Sequence, residues 1–279
     1  MVAELTKWKL SLAVAFSSVT GFLISSVGAD SGLTVVAAGV FLLSSGASAL
    51  NQYTERRSDA LMPRTAGRPL PSGRMTPLAA IALAVVMLVS GSLLLSFSGR
   101  IPFCLGLVNV ILYNVIYTGL KKRTTLAIVP GALVGAVPPL IGYTAAGGAM
   151  TDTIIMLFAL FMFLWQMPHF WLLLMRYGSE YEKAGIKTLY STMDGGKIKR
   201  LVFVWIIASS LALWILAGIF MPLPAFAGAL VLIFNIAFII LFRKIITLPE
   251  TGKRSKYAFI LINSFSILVM IVLIAVFNI

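Results

Sequence analysis

The chain has 279 residues; 59% are hydrophobic, 11% are charged and the net charge is +13 at neutral pH. Too little charge is present to cover the surface of a soluble domain, so the bilayer is the natural solvent. The positive excess lies in short segments between apolar runs, which speaks against nucleic acid and for anionic lipid head groups and an anionic substrate.

One transmembrane domain is expected over 1–279, all-α and polytopic. A span needs about 20 apolar residues, and about nine are read, at roughly 10–28, 33–51, 77–98, 101–120, 126–148, 153–176, 201–219, 222–242 and 257–278. The first run is followed by another span and not by a small-residue cleavage site, so no cleavable signal is expected. Cys104 is the single cysteine, which excludes an intramolecular disulfide.

Charge placement supports this count. Lys7 and Lys9 precede the first span, and Arg56, Arg57, Arg64, Arg68 and Arg74 separate spans two and three. Lys121, Lys122 and Arg123 follow span four, Arg176 to Arg200 carries six basic residues after span six, and Arg243 to Lys256 carries five after span eight. With alternating loops all of these fall on one side, and the other keeps Arg100 with Asp30 and Asp152. The positive-inside rule then puts the N-terminus and both long polar loops in the cytoplasm. Those loops follow spans two and six, four helices apart, which hints at a duplicated four-helix plan.

The first long loop reads NQYTERRSDALMPRTAGRPLPSGRM, from Asn51. If the helix continues past Leu50, Asn51, Glu55 and Asp59 fall at i, i+4 and i+8 and form one polar ridge. Pro63, Pro69 and Pro71 end the helix and stiffen its exit. Mg²⁺ takes a few carboxylates and fills its shell with water and phosphate oxygens, and Arg64 and Arg68 can grip phosphate bidentately. The bland alternative is a solvated helix whose acids pair with neighbouring arginines.

Span four ends in YNVIYTGLKKRT, with Asn114 and Tyr117 near the cytoplasmic end. Lys121, Lys122 and Arg123 fit lipid anchoring, with one of them free to cap a diphosphate. Span five carries Pro130, Pro138, Pro139, Gly131, Gly135 and Gly142. Such irregularity fits a cavity wall or close helix packing equally. Span six holds the sole histidine in FLWQMPHFWLLLM, where Pro168 is expected to kink the helix. His169 fits a structural hydrogen bond, a haem ligand or a proton carrier. In the loop that follows, Glu180 is the acid nearest the membrane, flanked by Tyr177 and Tyr181. Glu182 and Asp194 read as solvated.

Together these stretches resemble the intramembrane prenyltransferase superfamily typified by 4-hydroxybenzoate polyprenyltransferase, and most closely its haem O synthase branch of protoheme IX farnesyltransferases. NQYTERRSDALMPRTAGRPLPSGR is similar to the first aspartate-rich motif with its arginine-rich tail. YTGLKKRT, GALVGAVPPLIGY and FLWQMPHFWLLLMRYGSEYEKAGI are similar to later blocks in the same order. The resemblance covers most of the chain, and WQMPHFW with EYEKAGI points to the haem branch.

The resemblance implies nine helices around a central cavity in the plasma or inner membrane, opening to the cytoplasm. It implies Mg²⁺ as cofactor, farnesyl diphosphate and haem B as substrates, and a haem-modifying enzyme or terminal oxidase as partner. Asn51, Glu55, Asp59 and Glu180 match catalytic and metal positions. Arg64, Arg68, Lys121 and Lys122 match basic positions assigned to diphosphate, and His169, Trp165, Tyr117 and Tyr181 fall to the acceptor side. The chain departs from the pattern at Glu55, commonly aspartate, and at Arg57, commonly an acid; Arg57 either weakens metal binding or holds phosphate itself. KTLYST, after EYEKAGI, replaces a PMLPV-like run. Three rival readings stand: an aromatic or quinone-precursor prenyltransferase, which needs no His169; a transporter, which would place its ionisable groups nearer the bilayer midplane; and a haem-binding membrane protein without catalysis, which would leave the acidic ridge without a role.

Overall fold

The computed structural model describes residues 1–25, 32–189, 193–220, 225–247 and 252–277. Asp30 and residues 190–192 of the KTLYST segment lie outside the described residues. Nine long helices form among those described: α1 (Trp8–Ile24), α2 (Leu33–Asp59), α3 (Pro77–Phe97), α4 (Arg100–Leu120), α5 (Thr125–Ala145), α6 (Thr153–Lys183), α7 (Gly195–Phe220), α8 (Ala225–Thr247) and α9 (Gly252–Phe277). Helices α2 to α7 and α9, 7 in all, are long and apolar enough to cross a membrane, and α1 is a shorter apolar helix. The protein is an all-helical, multi-pass membrane protein.

Each helix packs on its neighbour in sequence, and α9 returns to α1, so the bundle closes into a ring. Contacts across the ring join α1 to α5 and α6 to α9. The largest buried cluster lies between α6, α7 and α9, around Phe158, Phe161, Ile206, Leu216, Ile262 and Leu273. The lipid-facing sides carry exposed Leu, Ile, Val and Phe, which is where a bilayer rewards them.

The α1–α5 crossing brings backbone against backbone. A Cβ on Gly21 would collide with the Pro139 carbonyl oxygen, and one on Gly142 with the Ser18 carbonyl oxygen. Small residues are what permit such an approach between membrane helices. Gly131, Gly135 and Pro138 instead line the central cavity. Both readings of the irregular fifth span therefore hold, for different residues of the same helix.

Helix α2 runs eight residues beyond its expected membrane end at 51, to Asp59, as the polar ridge requires. Helix α6 runs unbroken through Pro168 to Lys183, so the helical assignment continues where a kink was expected. Pro168 is buried, and packing of α6 on α5, α7 and α9 holds the segment helical despite one lost backbone bond. Helix α4 is α-helical over Arg100–Ile111, widens to a π-helix over Leu112–Tyr117 and closes with Thr118–Leu120. Near the N-terminus, the short helix Val2–Leu5 is tied to α2 where Gln52 Nε2 donates to the Glu4 and Leu5 carbonyls at 2.8 and 2.9 Å.

Candidate active site

The ring encloses a cavity of about 460 Å³. Its polar end is lined by Lys7, Asn51, Glu55, Asp59, Arg64, Arg68, Tyr113, Tyr117, Lys121 and Tyr181. Apolar wall follows, with Val14, Val40, Leu43 and Ile141, and Trp165, Gln166, His169, Phe170 and Asn263 form an aromatic and amide-bearing side.

The ridge on α2 forms as the helical period demands. Asn51, Glu55 and Asp59 are 3%, 6% and 1% exposed, and all three face the cavity. Their burial requires partners. Arg68 Nη1 donates to Asp59 Oδ2 at 2.7 Å. Lys121, from the end of α4, forms an ion pair with Glu55 Oε1. Asn51 Nδ2 donates to Thr118 Oγ1 at 3.1 Å. The loop that returns Arg68 is pinned by Thr65, whose hydroxyl donates to the Asp59 carbonyl at 2.8 Å.

Arg64 joins the two long loops. Its guanidinium lies over the Tyr177 ring at 4.6 Å and donates to Tyr181 Oη at 3.2 Å. Its backbone N–H donates to Glu180 Oε2 at 3.4 Å. Glu180 is half-buried and is not part of the cavity wall. The expected acid across the cavity is thus a dock for the first loop, because the turn at Pro63–Ala66 brings Arg64 between it and the ridge.

Lys122 also departs from its expected place. It is exposed and outside the cavity wall, whereas Lys121 lines it. One residue rotates the side chain by about 100° at a helix end, which separates the two lysines. Arg57 is likewise exposed, facing away from Asn51, Glu55 and Asp59, so in this structure it neither touches phosphate space nor crowds the ridge.

Several residues at the site carried no strong sequence signal. Lys7 adopts a left-handed backbone conformation, φ 47° and ψ 49°, just before α1, and its Nζ donates to Tyr113 Oη at 3.4 Å. Burial, and next the Arg68 guanidinium, pull its ammonium down to about 8. Lys187, from the loop after α6, also lines the cavity, and its N–H donates to the Lys121 carbonyl at 3.1 Å. Tyr113 and Tyr117 stack at 5.9 Å with planes 11° apart, and Lys121 Nζ lies 5.5 Å from the Tyr117 ring centre.

On the aromatic side, Trp165 Nε1 donates to the Ile262 carbonyl at 2.9 Å, which fixes its ring against α9. The His169 ring lies 5.3 Å from Trp165 and 4.7 Å from Phe259. Its Nδ1 has no partner among the described residues.

Among the described residues no three of His, Cys, Asp and Glu gather into a ready-made metal cage. Two carboxylates and one amide oxygen on one helix face do suit Mg²⁺ that arrives with a polyphosphate, since such ions keep water and phosphate in their shell. The polar end therefore fits a metal-diphosphate, with Arg64, Arg68, Lys7 and Lys121 as its cations.

A buried acid ridge opposed by cations thus stands at one end of an apolar chamber inside a membrane bundle. The UbiA prenyltransferase family profile matches residues 14–275, and the chain belongs to that family. It is 46% identical over 178 residues to the protoheme IX farnesyltransferase of Geobacter sulfurreducens, covering 64% of this chain and 66% of that one, just under two thirds of that relative's length. It is 41% identical over 195 residues to the protoheme IX farnesyltransferase of Cytophaga hutchinsonii, covering 69% and 68%. A UbiA homologue from Archaeoglobus fulgidus, solved bound to GPP and Mg²⁺, shares the fold with a TM-score of 0.71 at 12% identity, over 99% of this chain and 98% of that one.

Proposed function

We propose that this protein is a haem O synthase, transferring the farnesyl group of farnesyl diphosphate to a vinyl group of haem B with release of diphosphate. The observation that carries this reading is the ridge of Asn51, Glu55 and Asp59, its two acids paired to Lys121 and Arg68, at the polar end of an apolar cavity. Likeness to protoheme IX farnesyltransferases over about two thirds of the chain supports the acceptor. The proposal includes nine spans, a cytoplasmic N-terminus, residence in the plasma or inner membrane, and delivery of the product to a haem-modifying enzyme or terminal oxidase.

Asn51, Glu55 and Asp59 would hold Mg²⁺, and Glu180, outside the cavity wall, would support the site through the Arg64 backbone. Bound there, the ion would supply positive charge to the departing diphosphate. Lys121, Arg68, Arg64 and Lys7 supply the rest, placed in advance where negative charge develops. The C1–O bond of farnesyl diphosphate breaks and its electron pair leaves with the diphosphate. The apolar wall keeps bulk water from the allylic cation, and the stacked faces of Tyr113 and Tyr117 lie beside the diphosphate end to stabilise it. C1 bonds to the terminal vinyl carbon of the haem, the positive charge moves to the adjacent carbon, and a water oxygen bonds there with loss of a proton. Trp165, His169 and Phe170 form the surface that receives a flat macrocycle.

The test is to incubate purified protein with Mg²⁺, haem B and farnesyl diphosphate, with 4-hydroxybenzoate and geranylgeranyl diphosphate as competitors. Haem heavier by one farnesyl and one hydroxyl group is the expected product. Prenylated 4-hydroxybenzoate with unmodified haem would replace this reading by an aromatic or quinone-precursor prenyltransferase.

A further inference from the structure

Asn51 has a weakness as a metal ligand that Glu55 and Asp59 lack. A carboxylate offers oxygen from either edge, but a primary amide offers oxygen from one edge and a positively polarised N–H pair from the other. An amide turned the wrong way would repel the ion. Something must decide which edge faces the cavity.

Thr118 is placed to decide it. It is 5% exposed, and its Oγ1 donates to the Tyr113 carbonyl at 2.8 Å. The Thr118 N–H donates to the same carbonyl. A hydroxyl has one proton, and this one is committed. Thr118 Oγ1 can therefore offer Asn51 only a lone pair, and Asn51 must meet it with Nδ2, as it does at 3.1 Å. Oδ1 is left on the opposite edge of the amide, and no described residue donates to it.

The π-helix is what puts Thr118 there. In an α-helix, Thr118 would reach back four residues to Asn114; the wider turn over Leu112–Tyr117 makes it reach back five, to Tyr113. One inserted residue turns everything after it by about 100°, which brings both Thr118 and Lys121 to face α2. We infer that Thr118 is a positioning residue whose hydroxyl, locked by the π-helical Tyr113 carbonyl, turns Asn51 Oδ1 toward the metal of the diphosphate site. This rests on the reading of Asn51 as a metal ligand.

The test compares Mn²⁺ affinity, by electron paramagnetic resonance in the presence of inorganic diphosphate, in wild-type and variant protein. Thr118→Val keeps the shape and removes the hydroxyl, and Thr118→Ser keeps the hydroxyl. Loss of an outer partner of a metal ligand costs about 10- to 100-fold in metal affinity, so Thr118→Val should weaken Mn²⁺ by that factor while Thr118→Ser binds as wild type. In an Asn51→Asp background there is no amide to orient, so adding Thr118→Val should cost little more. Wild-type affinity in Thr118→Val overturns the inference, and so does a defect of equal size in the Asn51→Asp background, which marks general damage. If Thr118→Val does not accumulate, Thr118→Cys, with its weakly hydrogen-bonding thiol, carries the same comparison. Unchanged Mn²⁺ affinity in Asn51→Ala would instead remove Asn51 from the metal site and with it the reading beneath.

Discussion

The two ends of the cavity solve different problems. At the diphosphate end nearly every functional group is charged and held by a partner from another segment: Asp59 by Arg68, Glu55 by Lys121, Arg64 by Tyr181. At the acceptor end the groups are rings held by shape, with Trp165 tied to α9 and His169 wedged against Trp165 and Phe259. A leaving group must be stabilised as its charge grows, which calls for fixed charges placed in advance. A flat apolar acceptor only has to be oriented and kept from water, which packing accomplishes. Damage should therefore be severe and metal-dependent at the first end, and modest and acceptor-dependent at the second.

Asp59→Ala is the hardest break. It removes a proposed metal ligand and leaves Arg68 partly buried without its carboxylate, so product formation should fall by at least about 100- to 1,000-fold at saturating Mg²⁺. A monodisperse elution profile in detergent shows that the bundle still assembles; normal turnover in such a sample sinks the ridge as the metal site.

Lys121→Met should lower kcat by about 10- to 100-fold by removing one cation from the leaving group. It also frees Glu55. In the wild type, Mg²⁺ alone must break a buried ion pair, whereas Mg²⁺ with diphosphate lets Lys121 exchange one anion for another. Calorimetry should thus detect Mg²⁺ binding without diphosphate in Lys121→Met and far more weakly in the wild type. Equal binding in the two proteins would show that the pair does not guard the ridge.

His169→Ala probes the other end. Acceptor affinity should fall by about tenfold, the loss of one hydrogen-bonding group worth about 1.4 kcal/mol, with diphosphate binding unchanged. A visible-absorbance titration with haem B measures the first and calorimetry with inorganic diphosphate the second. Loss of both together would mean that the two ends are not separable.

The mildest effect is expected at Lys7. Burial and Arg68 hold its ammonium at about 8, with Arg64 also lowering it and Glu55 and Asp59 raising it. Bound diphosphate favours the charged form, so binding takes up a proton above about 8 and below the ordinary lysine value of 10.5. Affinity should be flat below that window and fall as pH rises through it, by at most about tenfold per pH unit for one proton. Lys7→Met should bind more weakly and lose this slope; an unchanged slope assigns the proton elsewhere.

The contrast between the ends also marks what was legible in the sequence. Asn51, Glu55 and Asp59 were readable as one face because the helical repeat is local and recurs within nine residues. The acceptor-end residues Trp165 and His169 were readable by family resemblance, and both line the cavity. Lys122 was not separable from Lys121 by composition, since only the rotation at the end of α4 sends one inward and the other outward. Glu180 looked like a partner of the ridge, but the Pro63–Ala66 turn, which no periodicity announces, places Arg64 against it. Arg57 looked disruptive by identity, and its side chain is exposed outside the cavity wall.

Hydrophobicity and the helical repeat are read within single segments, so the sequence alone determined that the chain is a helical membrane protein with its three ridge residues on one helix face. What only the tertiary structure decided is which distant groups meet there: Lys7 from before α1, Thr118 and Lys121 turned by the π-helix of α4, and Arg68 returned by its loop. Such meetings depend on how helices pack and on a single extra residue in one helical turn. The charge of a buried ridge is stable only when those partners arrive together.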